Sequence, residues 1–147
     1  MKKLVSIFLI GVGLVISGCT HTSEPGQVNY SLKNNGVNLK LTVKYDENKN
    51  VTKTIAKNTY DYKKMGSTKK EIKSNLEDNI EIYKEMDGVN ETLEFEDMKA
   101  TETLIVTIKE VEPDSLLLLY SVSANEDGTL SLDNLGKSLE NVGFTKK

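Results

Sequence analysis

Arginine and tryptophan are absent from this chain, and cysteine and histidine occur once each. Without arginine there is no planar guanidinium fork to read bases or grip phosphates bidentately, so nucleic acid is not an expected partner. A single cysteine closes no intramolecular disulfide, and stability has to come from a packed core. The one histidine, His21, has no second histidine or thiol to complete a metal site and lies ahead of the segment that reads as folded. Nucleophilic catalysis of the Ser–His or Cys–His type therefore lacks its base there, and neither a metal nor a cofactor is expected. The apolar stretch at the N terminus, Leu4 to Ile16, would make about 20 Å of helix, short of the roughly 30 Å hydrocarbon core of a bilayer.

That stretch follows Lys2 and Lys3 and ends in Ile16-Ser17-Gly18-Cys19. A basic start, a short apolar run and small residues before a cut are the layout of a secretory leader, and residues 1–18 are assigned to it. The last four residues resemble a bacterial lipobox, in which the cysteine sulfur receives a diacylglyceryl group, the preceding bond is cut and the new amino terminus can be acylated. On this reading Ile16, Ser17 and Gly18 form the recognition sequence and Cys19 is the lipidation site. Two acyl chains give stable attachment where one does not, because each buried methylene adds about 0.8 kcal/mol. The expected location is the extracytoplasmic face of the cell membrane. Thr20, not aspartate, follows the cysteine, which argues against inner-membrane retention in a two-membrane host. Loss of Lys2 and Lys3 changes a net charge of −3 to about −5.

Residues 19–27, with Pro25 and Gly26, read as a lipidated tether, and residues 28–147 as a single domain large enough to bury a core. VNYSL at 28–32 and VNLKLTVKY at 37–45 alternate with a period of two and are joined by Asn34-Asn35-Gly36, a hairpin turn. VTKTIAKNTYDY at 51–62 follows as a third strand whose lysines suggest a sheet edge. The period changes after Gly66: Ile72, Leu76, Ile80 and Tyr83 form one helical stripe, Thr68 and Glu71 fit a capping box and Asp87-Gly88 a stop, which predicts a helix over about 68–87. Val89, Leu93 and Phe95, then Leu104, Val106 and Ile108, mark two more strands with a turn near Met98 to Ala100. Residues 113–122 suit either a helix opened by Pro113 or a short buried strand, and the proline favours the helix. Leu132, Leu135, Leu139 and Val142 form a last stripe capped by Gly143. The expected fold is α+β: an antiparallel sheet of about five strands, one long helix after the third strand, and one or two C-terminal helices packed on one face.

The phrases KYDENKNVTK at 44–53, MGSTKKEIKSNLEDNIEIYKEMDGVNETLEFED at 65–97 and LENVGF at 139–144, together with the lipobox, resemble the YehR-like bacterial lipoproteins. The resemblance implies a small α+β domain on a lipid anchor and supplies no catalytic residues.

Two further constellations carry possible chemistry. Glu91, Glu94, Glu96 and Asp97 could offer a glycosidase-like carboxylate pair, but Glu94 and Glu96 alternate with Leu93 and Phe95, which places them on the wet face of a strand. SANEDGTLSLDN at 123–134 puts Asn125, Asp127 and Gly128 where a calcium loop would have them, yet Ser123 and Asn134 occupy its first and twelfth positions, so a polar turn is expected. The chain thus reads as no enzyme but a membrane-anchored interaction module, with an envelope protein or wall component as the partner of its exposed sheet face or edge. The alternative is a binder of a small or lipid-like ligand, with Leu116 to Leu119 as a pocket wall.

Overall fold

The structure is a computed structural model and describes residues 25–147. The leader, lipobox, Cys19 and His21 lie outside the described residues. The elements run β1 (Gly26–Asn34), β2 (Val37–Tyr45), β3 (Val51–Asp61), α1 (Tyr62–Met65), α2 (Lys69–Lys84), β4 (Val89–Phe95), β5 (Lys99–Thr107), a 3-10 turn (Ile108–Glu110), α3 (Pro113–Tyr120), α4 (Leu132–Asn141) and β6 (Thr145–Lys146). β1 begins at Gly26, so the last two residues of the expected tether belong to the sheet.

All six strands form one antiparallel sheet in the order β4-β5-β3-β2-β1-β6. Three expectations are corrected by it. The described residues form six strands, because Thr145 and Lys146 close against Ser31 and Tyr30. β3 is central, paired with β2 on one side and β5 on the other; its lysines mark a solvated face of the sheet, which in a half-buried strand has the same period as an edge. The turn between β4 and β5 spans Glu96 to Met98, since Lys99 and Ala100 are already paired with Asp61 and Tyr60.

Local chemistry explains the joints. Asn35 and Gly36 both take positive φ (40° and 86°) between the paired residues Asn34 and Val37, the two-residue turn that matches strand twist. After β3, Asp61 accepts a hydrogen bond from Lys64 N (3.0 Å) and Gly66 ends the four-residue α1 in the left-handed region. Thr68 and Glu71 make the capping box reciprocally, with Thr68 N donating to Glu71 Oε2 at 2.8 Å and Glu71 N to Thr68 Oγ1 at 3.3 Å. α2 ends at Lys84, earlier than the Asp87-Gly88 stop suggested. Residues 113–120 are helical, with Pro113 in the first turn, where a missing N–H costs nothing.

Every helix larger than a single turn packs on the same sheet face and builds two apolar clusters. The larger joins Val28, Tyr30, Leu41, Val43 and Val106 of the sheet to Leu116 of α3 and Leu135 and Leu139 of α4. Leu116, Leu130 and Leu135 are fully enclosed. The smaller joins Ala100, with Tyr60, Leu93 and Phe95 beside it, to Tyr62, Ile72 and Leu76. Residues 25–147 thus contain every described element and both cores. No helix among them is long and apolar enough to cross a membrane.

Candidate functional site

Two features of the sheet stand out, one on each face. On the face away from the helices, the alternating residues of β1, β2 and β3 point to solvent. From Gln27 to Thr59 they include Lys33, Lys40, Lys44, Lys53 and Lys57 and no carboxylate. Strand register sets Lys40 directly opposite Lys57 and Lys44 directly opposite Lys53. Like charges in opposed positions weaken a strand pair, so the sheet carries an electrostatic cost here that its hydrogen bonds must offset. The ion pairs of the described residues lie elsewhere: Lys64–Asp61, Lys73–Glu77, Lys84–Glu81 and Lys99–Glu96. The remaining outward groups are mostly polar, and Thr42 Oγ1 donates to Asn29 Oδ1 at 2.8 Å. Two hollows open beside this field. One, of about 560 Å³, is lined by Lys33, Lys40 and Lys147 with Asn29, Asn38 and Thr42. The other, of about 830 Å³, is bordered by Lys44, Lys53 and Lys109 and also by Asp46 and Asp127.

On the helix-covered face, between the two apolar clusters, lies a polar belt. Glu102 of β5 is buried (4% exposed), and its Oε2 accepts from Asn58 Nδ2 and Tyr60 Oη, both at 2.7 Å. Glu91 of β4 shares this face, with both carboxyl oxygens closed off and no donor aimed at either. Burial first, then a hydrogen bond to Glu102 and the charge of Glu102, push the Glu91 carboxyl up to about 8. A proton on Glu91 makes it the donor to Glu102 and gives the buried pair a hydrogen bond that two carboxylates could not form. The same surroundings raise the hydroxyls of Tyr60 and Tyr83, by burial before the charge of Glu102. Nearby Tyr120, hydrogen-bonded to Thr54, is pushed up to about 12, again chiefly by burial.

The other candidates separate cleanly. Glu94, Glu96 and Asp97 are exposed, and Glu96 pairs with Lys99; Glu91 is the one of the four that turns inward, in phase with Val89, Leu93 and Phe95. In the 123–134 loop, Asp127 Oδ1 accepts from Thr129 N (3.0 Å) and Thr129 Oγ1 (2.6 Å), and Asn125 Nδ2 donates to Thr129 Oγ1 (2.8 Å). These bonds hold Asp127 below the usual carboxylate range and tie it into a turn. Leu116 is core, whereas Leu117 and Leu118 are 52% and 69% exposed, and none of Leu116 to Leu119 lines either hollow. Sequence reasoning did not single out Glu102 or the opposed lysines. Glu102 does share the two-residue phase of Leu104, Val106 and Ile108, and that was the available signal.

Comparison with known proteins gives a consistent result. Residues 27–145 match the family described as protein of unknown function (DUF1307). An uncharacterized lipoprotein, Lin0239, of Listeria innocua is 33% identical over 97% of this chain and 94% of its own length. Uncharacterized lipoprotein Lmo0207 of Listeria monocytogenes is 30% identical over the same shares. Among solved structures, the NMR structure of the E. coli YehR protein superposes with a TM-score of 0.68 at 23% identity, covering 84% of this chain and 91% of that one. At that identity the likeness bears on fold.

Proposed function

The chain belongs to the DUF1307 family of YehR-like lipoproteins of unknown function, and from that premise we propose that it is a non-catalytic interaction module. Lipid on Cys19 holds it on the extracytoplasmic face of the cell membrane, and it contacts an envelope component through the exposed face of its sheet. The observation that carries this reading is the sheet face that no described helix covers: the outward residues of β1, β2 and β3 from Gln27 to Thr59 include five lysines and no acidic side chain, and two like-charge pairs have no ion partner among the described residues. The Glu91–Glu102 pair supports a non-catalytic role, because both Glu91 oxygens are closed to solvent in the folded chain. Binding of a small or lipid-like ligand at Leu116 to Leu119 has less support, since the inward leucine is packed in the core and Leu117 and Leu118 stand on the surface.

Two measurements test the proposal. Intact-mass analysis of protein extracted from membranes should find the chain starting at Cys19 with acyl mass added; a bare thiol or a retained leader removes the anchor from the reading. A photo-crosslinker placed in cells at Thr42, on the lysine face, should capture envelope material that the same group at Ser74 of α2 does not. Equal capture at both positions would remove the face.

A further inference from the structure

We infer that the lysine face is a binding site for a linear polyanion carrying phosphodiester charges, that is, a phosphate-bearing polymer of the envelope. This deepens the reading above and rests on it for location only. The two opposed pairs, Lys40–Lys57 and Lys44–Lys53, form two rungs across β2 and β3 on one face, four residues apart along each strand with the Thr42–Ile55 rung between them. That spacing is about 13 Å. Lys33 and Lys147 extend the lysine field from the first rung into the 560 Å³ hollow, whose lining contains no acidic side chain. The field therefore runs as a track along β2, open at the hollow that lacks acidic side chains and bordered at its far end by Asp46 and Asp127.

Three observations select the occupant. The first is charge complementarity: a mature chain of net charge about −5 collects five unpaired lysines on one surface, and a phosphate between opposed ammonium groups converts their repulsion into attraction. The second is donor type. Lysine presents a compact point charge suited to phosphate without base readout, so the chemistry fits a repeating phosphodiester and no particular sequence. The third is shape. A hollow beside the rungs admits a chain segment, whereas the headgroup plane of a bilayer is flat and leaves that hollow unfilled. The outward Ile55–Ile105 pair beside the rungs offers an apolar surface for the carbon backbone of such a polymer.

The test uses the mature chain from residue 19 with Cys19→Ser, so that anchoring plays no part. The probe is poly(glycerol phosphate), with phosphatidylglycerol vesicles at matched phosphate and polygalacturonate as the other arms. The wild-type chain should bind the phosphate polymer in a saturable, salt-sensitive manner and more tightly than either comparison. Changing Lys40, Lys44, Lys53 and Lys57 together to Gln should weaken that binding by about a hundredfold or more and flatten its salt dependence. The same four-charge change on α2 (Lys69, Lys70, Lys73 and Lys84 to Gln) should alter it by about twofold at most. The sheet quartet should melt no lower than wild type, because it relieves opposed like charges, and this separates lost binding from lost fold. Absence of polymer binding, equal loss in the two quartets, or tighter binding to the vesicles would overturn the inference. A bare thiol on Cys19 in cells would leave this result standing while removing the anchor.

Discussion

The two apolar clusters share one sheet face but are built to different standards. The α3/α4 cluster has thirteen buried members and three fully enclosed leucines, whereas the α2 cluster has four, leaning on half-buried Tyr60, Leu93 and Phe95. Two helices and the turn before α4 seal the first. A single helix whose remaining surface is charged covers the second, and the Glu91–Glu102 belt lies between them. Burial scales with enclosed apolar area, so the first cluster carries the stability of the fold and the second is where the structure opens first. The side of the molecule that holds the displaced proton is thus also the side that is held less firmly.

Leu135→Ala should break this comparison most severely, removing about 3–5 kcal/mol by urea denaturation and unfolding both clusters together, because its site is enclosed on all sides. If the loss stayed confined to α4, the larger cluster would not be the common core. A smaller effect comes from Glu91→Gln. A carboxyl raised in the folded state stabilises below its unfolded pKa near 4.5, and this contribution declines as pH rises and is gone above about 8. The amide keeps the donor at every pH. The variant should match wild type within about 0.5 kcal/mol at pH 5 and exceed it by about 1 kcal/mol at pH 9, a figure set well below the full shift because Glu91 is only part-buried. A parallel loss of stability in both proteins between these pH values would show that Glu91 is ionised in the folded chain. The smallest effect sharpens the contrast. Thr68→Ala removes the capping box of α2 and should cost about 1 kcal/mol. Amide exchange should quicken in α2 and β4 while β1, β2 and α4 keep their protection; uniform quickening would mean that the two halves open as one.

Much of this architecture was legible from local chemistry. The Asn35-Gly36 turn, the Thr68–Glu71 box and the Leu132-Leu135-Leu139 stripe each act over a few residues, and the structure contains all three. What escaped depends on distant partners. Lysines at every second or fourth position identify a solvated face, but only pairing of Asn58 with Glu102 and of Lys40 with Lys57 shows that β3 is central and that its charges face one another. β6 has two residues and α1 four, too few to show a period. Glu91 and Glu102 sit in inward phase on adjacent strands. Phase alone reveals direction, while the meeting of the two acids follows from Leu93 pairing with Glu102, which sets Glu91 and Glu102 on neighbouring rungs.

The β1–β6 pairing has a mechanical consequence. Because these strands are antiparallel and joined over a short ladder, Tyr30–Lys146 and Ser31–Thr145 with Lys147 N donating to Asn29 O, the C terminus leaves the sheet toward the same end at which β1 begins. Tension applied between the start of β1 and Lys147 would peel the short strand away one bond at a time, and would not shear the sheet. The domain would then lengthen by a few residues under modest force while its folded body stays intact, a slack built into the C-terminal end of the sheet.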